Sequence, residues 1–225
     1  MMTSPTLFHL QAVDEELRPL LDAPTPWEVL DHLDDFLATV TDRRRGRVHP
    51  TAVLEGVVFL ADGAEIGPHA LVTGPAWIGR GVVVGHGAYL RGGVVLASGA
   101  HVGHASELKH SLLLNGARAP HFNYVGDSVI GVKVNLGAGV KLANVNTFGN
   151  DIRAAGRDTG RHKLGAVIGD GVSIGCNAVL APGTVIGPRA VIYNGAMVRG
   201  CVPADTVVKL RQPLEQVVRR EVTDP

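Results

Sequence analysis

The sequence predicts an all-β fold, a parallel β-helix with a short helical segment before it. Two features carry the prediction: an aliphatic period of six and a glycine-rich punctuation that keeps the same beat. From position 48 to position 114 every sixth residue is Val, Leu or Ile. The beat shifts near 120, resumes at Ile130, Leu136 and Leu142, and returns at Ile168, Ile174, Leu180, Ile186, Ile192 and Val198. Glycine often follows the aliphatic, as in "IGPHAL", "IGRGVV" and "IGDGVS". A period of six suits neither an α-helix nor an alternating strand. It suits a short strand plus a turn, three of which close one triangular coil. The aliphatics then fill the prism, the following Gly, Asn or Asp takes a turn that needs positive φ, and stacked coils pair as parallel strands about 4.8 Å apart.

Residues 1–45 stand outside the period and form an expected N-terminal helical cap. Thr25, Pro26 and Glu28 make a capping-box sequence. Trp27, Leu30, Leu33, Phe36, Leu37 and Val40 follow with helical spacing. The expected role of this helix is to close the open bottom of the prism, where core and strand edges would otherwise meet water. The β-helix is expected over 46–209, with a loop thrown out at 143–167, and the stretch "PLEQVVRR" predicts a short C-terminal helix within 210–225. Loops thrown from a solenoid often bind something.

Composition narrows the function. The 225 residues carry 21 Lys plus Arg and 21 Asp plus Glu. A chain without net charge is not a nucleic-acid binder working by bulk electrostatics. The run "RRRGR" at 43–47 reads as a solvated linker. Two cysteines without a CxxC pattern fit a reducing cytoplasm and exclude a disulfide scaffold. No signal-peptide pattern and no run of 18 apolar residues occurs, so no membrane span is expected.

A coil of three hexads puts residues 18 apart above one another. Arg91 and Lys109 have that spacing. Two stacked cations repel unless an anion lies across them or both splay into water. His86 and His104 also stack and, with His69, His101, His110 and His121, raise a metal question, because neutral imidazoles are good zinc ligands. The same separations follow from neighbouring turn positions, and no metal is expected. There is no Gly-rich phosphate loop opening a Rossmann-like unit, no GxSxG elbow, and no sign of an activated thiolate at Cys176 in "IGCNAV". The stretch "PHFNYVGDS" at 120–128 sets His121, Asn123, Tyr124 and Asp127 where the rhythm fails.

The segment "YLRGGVVLASGAHVGHASELKH…PHFNYVGDSVIGVKVNLGAGVKLANV", from about 89 to 145, resembles the C-terminal acetyltransferase domain of the bifunctional glucosamine-1-phosphate acetyltransferases and N-acetylglucosamine-1-phosphate uridyltransferases. "DTGRHKLGAVIGD" and "VRGCVP" resemble archaeal and related bacterial sugar-1-phosphate acetyltransferase and nucleotidyltransferase proteins. The "PWE" helix before a β-helix looks like a shorter group related to pyrophosphorylases. The resemblance implies a left-handed coil and an acetyl-CoA-dependent N-acetyltransferase acting on an amino-sugar 1-phosphate in nucleotide-sugar synthesis. It places the catalytic base on His121 and the phosphate and sugar contacts on Arg91, Lys109, Tyr124, Asn135 and Asn144. It places the acetyl-CoA contacts on Ala138, Cys176, Asn194 and Arg211. The family serine is Cys176 here, a later alanine is Asn194, and "NYDG" reads "NVNT". A homotrimer is implied, with acetyl-CoA along the coils between subunits, and a separate nucleotidyltransferase is a possible partner. Uridyl transfer is not carried over. A sugar-nucleotide-binding or partner-docking β-helix without catalysis, and a zinc enzyme like the γ-class carbonic anhydrases, are the alternative readings.

Overall fold

The computed structural model describes residues 3–218. The chain is a left-handed parallel β-helix of about nine coils. Its strands stack into three flat faces, all parallel. Face 1 runs from Arg43–Arg44 through Val94–Leu96 and Ser111–Leu113 to Cys201–Val202. Face 2 runs from Arg47–Val48 through His101–His104 and Arg118–His121 to Val207–Val208. Face 3 runs from Val53–Glu55 through Tyr89–Arg91, Glu107–Lys109 and Tyr124–Gly126 to Met197–Val198. The interior is a single column of small and branched apolar side chains, among them Leu60, Ile78, Leu96, Leu113, Ile130, Ile168 and Ile186, all buried. Strand pairing begins at Arg43, which sits opposite Phe59, so part of the basic run already belongs to the prism.

On either side of residue 120 the rhythm breaks by two one-residue deletions. Leu96 pairs with Leu113 and Leu108 with Val125, steps of 17 in place of 18. The missing residue is lost at the corner from face 3 to face 1, between Leu108 and Leu113. A second loss occurs at the same corner one coil on, between Val125 and Ile130. The inward residue there is therefore Leu113; Leu114, which the strict period would choose, packs outside the prism with the N-terminal segment.

The N-terminal helix forms over Val29–Ala38, but it covers a side of the prism and not its open end. The reason is a second apolar ladder. On face 1 the outward residues Phe59, Trp77, Val95, Leu112, Val129, Val167 and Val185 stand in register. Such a stripe must be removed from water, and Leu17, Leu21, Leu30, Leu33 and Leu37 bury against it. The open bottom keeps Val48 and Val53 exposed. The segment before the helix is strapped down by polar ties. Asp14 accepts from the Ser98 N–H at 2.8 Å and from Asn115 Nδ2 at 2.7 Å. Asp170 accepts from the His9 N–H at 2.7 Å.

Half of the capping box is made: the Glu28 carboxylate accepts from the Thr25 N–H at 3.1 Å, while the buried Thr25 hydroxyl finds no partner. The loop at 143–167 folds into a hairpin, Ile152–Ala154 against Arg157–Arg161. Its Ile152, Ala154 and Leu164 join the strap's core, and Arg161 is ion-paired with Asp31 of the strap helix. The C-terminal helix does not form over 213–218; that stretch is irregular, with Leu214, Val217 and Val218 exposed and nothing to bury an apolar face against. The last two residues of the expected helix lie outside the described residues.

Candidate active site

The corner between faces 2 and 3 collects one side of the site. At each coil the residue after the corner donates its N–H to a carbonyl one coil below. Phe122 donates to His104 at 2.9 Å, Gly139 to His121 at 2.9 Å, Asn177 to Ala138 at 2.8 Å and Gly195 to Cys176 at 2.8 Å. These bonds stack His86, His104, His121, Ala138, Cys176 and Asn194 into one column. Four residues expected to serve catalysis or acetyl-CoA thus come from four successive coils at one edge. Asn194 Oδ1 also accepts from the Cys176 N–H at 3.0 Å. Among the described residues the Ala138 N–H donates to no acceptor.

Asn123 fixes the turn that carries His121. Its side chain is buried. Oδ1 accepts from the His121 N–H at 3.0 Å, Nδ2 donates to the Gly137 carbonyl at 2.7 Å, and its own N–H donates to Ser106 Oγ at 3.1 Å. A buried amide so satisfied holds three coils together. Between them Phe122 takes a left-handed φ of 51°, rare for a bulky residue, and lies exposed with its ring edge-on to His104 at 5.0 Å.

Below His121 the histidines interact with each other. His86 and His104 stack at 4.9 Å with their Nδ1 atoms 2.9 Å apart, within hydrogen-bond distance. His69 meets His86 edge-on at 5.7 Å. Among the described residues no three His, Cys, Asp or Glu side chains converge as a metal site. His101 lies beneath Arg118 on face 2; burial, then the charges of Arg118 and His121, hold its imidazole below the usual range.

Face 3 supplies the polar surface beside the corner. Tyr124 follows the His121 turn directly and pairs with Glu107 on one side and Lys141 on the other. Arg91 and Lys109 do not face a shared gap; each has its own carboxylate. Arg91 Nη1 meets Glu107 Oε1 at 2.8 Å. Lys109 Nζ lies 3.1 Å from both oxygens of Asp127. Asn144 Nδ2 also donates to Asp127, and its Oδ1 accepts from the Tyr124 hydroxyl at 3.4 Å. Burial would raise the Asp127 pKa, but the bonds from His110, Asn144 and Lys109 outweigh it and hold the carboxyl below its ordinary value. Burial, then Glu107 and Asp127, push the Tyr124 phenol up.

Two expected residues stand apart within one chain. Asn135 is on face 2, between Arg118 and Ser173, across the corner from the Tyr124 cluster. Arg211 is exposed in the irregular stretch after Val208. Sequence reasoning passed over Glu107, His110 and Asp34 as partners of this site, and left Asp127 without a role. His110 and Asp127 are 17 residues apart and stack only because their coil has lost one residue, which a strict period of 18 hides.

The sequence family described as "Bacterial transferase hexapeptide (six repeats)" matches at residues 165–200. The chain is 36% identical over 186 residues to a bifunctional sugar-1-phosphate nucleotidylyltransferase/acetyltransferase of Sulfurisphaera tokodaii, covering 79% of this chain and 46% of that one. It is 41% identical over 202 residues to the bifunctional protein GlmU of Methanococcus maripaludis, covering 86% and 48%. The polysialic acid O-acetyltransferase OatWY superposes with a TM-score of 0.44 at 14% identity, over 74% of this chain and 94% of that one. The chain spans about half the length of the curated relatives it matches. The six-residue repeat extends through the coils on either side of the matched segment, so the chain is a hexapeptide-repeat protein whose residues 165–200 match the bacterial transferase hexapeptide model.

Proposed function

We propose that this protein is an acetyl-CoA-dependent N-acetyltransferase whose acceptor is an amino-sugar 1-phosphate. The observation that supports it is the corner column: His121 one coil beneath the unpartnered Ala138 N–H, with Arg91, Lys109, Tyr124 and Asn144 on the adjoining face. A sugar ammonium must lose a proton before its nitrogen attacks a thioester. An imidazole, with an ordinary pKa of about 6.5, is suited to take it. The nitrogen then bonds to the acetyl carbon, and charge develops on the thioester oxygen. The Ala138 N–H is the donor for that oxygen. The C–S bond breaks, the proton held by His121 passes to the leaving thiolate, and the second proton, on the nitrogen that has formed the new bond, leaves to water, giving the neutral amide, the thiol and one released proton.

Arg91 binds the phosphate by exchanging Glu107 for its oxygens, and Lys109, still held by Asp127, binds it with a remaining ammonium N–H. Acetyl-CoA lies along the column past Cys176 and Asn194. Asn135 and Arg211, which stand apart from the cluster within one chain, act across a subunit boundary in a homotrimer.

The test is thiol release from acetyl-CoA in the presence of glucosamine 1-phosphate. The native chain releases thiol; a folded His121→Ala variant loses the rate by roughly 10²–10⁴-fold. Full activity in that variant overturns the assignment of the base. Binding of the sugar phosphate without thiol release would favour a non-catalytic binding protein.

A further inference from the structure

We propose that Asp127 is the positioning residue of the acceptor-phosphate site, and that the N-terminal strap reaches that site through His110. This rests on the acetyltransferase reading. Asp127 is buried, yet it carries no part in the chemistry outlined above. It occupies the second of the two shortened corners, with a left-handed φ of 46°, directly above His110 with a φ of 44°. The one-residue deletions bring these two side chains into contact: His110 Nδ1 lies 3.1 Å from Asp127 Oδ1. The other ring nitrogen of His110, Nε2, lies 3.0 Å from Asp34 Oδ1 on the strap helix. The result is a continuous chain, Asp34–His110–Asp127, that ends on Lys109 and Asn144.

Each link has a physical task. Lys109 ends a flexible four-carbon stem, and the two Asp127 oxygens fix its ammonium over face 3. Asn144 is held by the same carboxylate in the orientation that lets its Oδ1 receive the Tyr124 hydroxyl. His110 fixes Asp127 from behind, and Asp34 fixes the ring of His110. Both Asp127 and Asp34 favour the charged imidazole, with Asp127's hydrogen bond the largest influence and burial opposing it. At Gly93 an added Cβ would come within 3.0 Å of the His110 ring, so its lack of a side chain makes room for the ring.

Asp127→Asn removes the carboxylate that holds Lys109 with both oxygens, and with it the hydrogen bond that most favours the charged form of His110. What is lost is the fixed position of Lys109 and Asn144. The KM for glucosamine 1-phosphate should rise about tenfold, the worth of one charge-assisted hydrogen bond, while the KM for acetyl-CoA stays put. Asp34→Asn, at an exposed position, should raise the same KM by a few-fold and add nothing on top of Asp127→Asn. His110→Gln should behave like Asp34→Asn, and Asp127→Glu should restore part of the loss.

Binding of glucosamine 1-phosphate, measured by calorimetry without acetyl-CoA, separates the two readings. A native chain that binds the sugar phosphate but releases no thiol overturns the acetyltransferase assignment, while Asp127 is still judged by the affinity of its variants. A native chain that turns over, with Asp127→Asn and Asp34→Asn binding the acceptor as tightly as native, overturns the positioning role. Equal rises in both KM values would also overturn it, since they would report a general loss of structure.

Discussion

Asn123 Nδ2 donates to the Gly137 carbonyl at 2.7 Å, joining the coil that carries His121 to the coil that carries Ala138. The same side chain receives the His121 N–H, so one buried amide sets the height of the candidate base and its distance from the candidate oxyanion donor. Asn123→Ala leaves the Gly137 carbonyl and the His121 N–H without these partners. It should cost about 2–4 kcal/mol in denaturant unfolding, at one to two buried bonds lost, and lower kcat more than it raises either KM.

Gly103 lies beneath Pro120, and an added Cβ would come within 1.8 Å of the Pro120 carbonyl oxygen. That contact is with backbone, so the coil bearing His121 must move. Gly103→Ala should destabilise the protein by about 1–3 kcal/mol, as overpacking does, and should reduce thiol release far beyond what the stability loss explains. Gly81→Ala, where a Cβ would meet no neighbour, is the comparison; its positive φ of 64° adds a modest backbone strain but leaves the His121 corner untouched.

The strap should behave as part of the folded unit. Leu33 is fully buried on the helix that covers the outer ladder of face 1. Leu33→Ala should cost about 2–5 kcal/mol. Trp77, edge-on to Phe36 at 6.1 Å and stacked on Phe59 at 5.6 Å, gains water when the strap loosens. A red shift of its emission in a Trp27→Phe background should precede loss of the β-signal on heating.

The Asp127–His110 pair makes stability depend on pH from both sides. The folded pKa of His110 is raised, chiefly by the Asp127 hydrogen bond. Its contribution is therefore complete below an unfolded value of about 6.5 and is lost as pH rises through the folded value. The folded pKa of Asp127 is lowered, burial being overcome by the bonds from His110, Asn144 and Lys109. Its contribution is present above an unfolded value of about 3.9 and is lost as pH falls through the folded value. Melting temperature against pH should decline on the alkaline side in the native chain, and His110→Gln should flatten that decline. An unchanged alkaline limb in the variant would show that the pair does not set it.

Much of the fold was legible because its cause is local. An aliphatic every sixth residue can be buried in only one way, and the Leu60, Ile78 and Leu96 stack follows from counting. The corner column was legible for the same reason, since His86 and His104 keep the spacing of a full coil. The second apolar ladder was equally present, as Trp77 before Ile78 and Val95 before Leu96, but periodicity does not reveal what covers it. The partners of Arg91 and Lys109 were not legible. Glu107 and Asp127 lie 16 and 18 residues away, and their approach depends on side-chain direction at coils of unequal length.

The triangular coil, its interior and the residues at its corners follow from the order of residues alone, because six residues per side fix which side chains point inward. The tertiary structure alone decided where coils lose a residue, since a deletion changes register only against the coil below it. That register sets Asp127 over His110 and gives Lys109 a carboxylate. The tertiary structure also decided that the N-terminal helix lies along face 1. An amphipathic helix states that it must bury one face, and only the assembled prism shows that its largest uncovered apolar surface is a side and not an end.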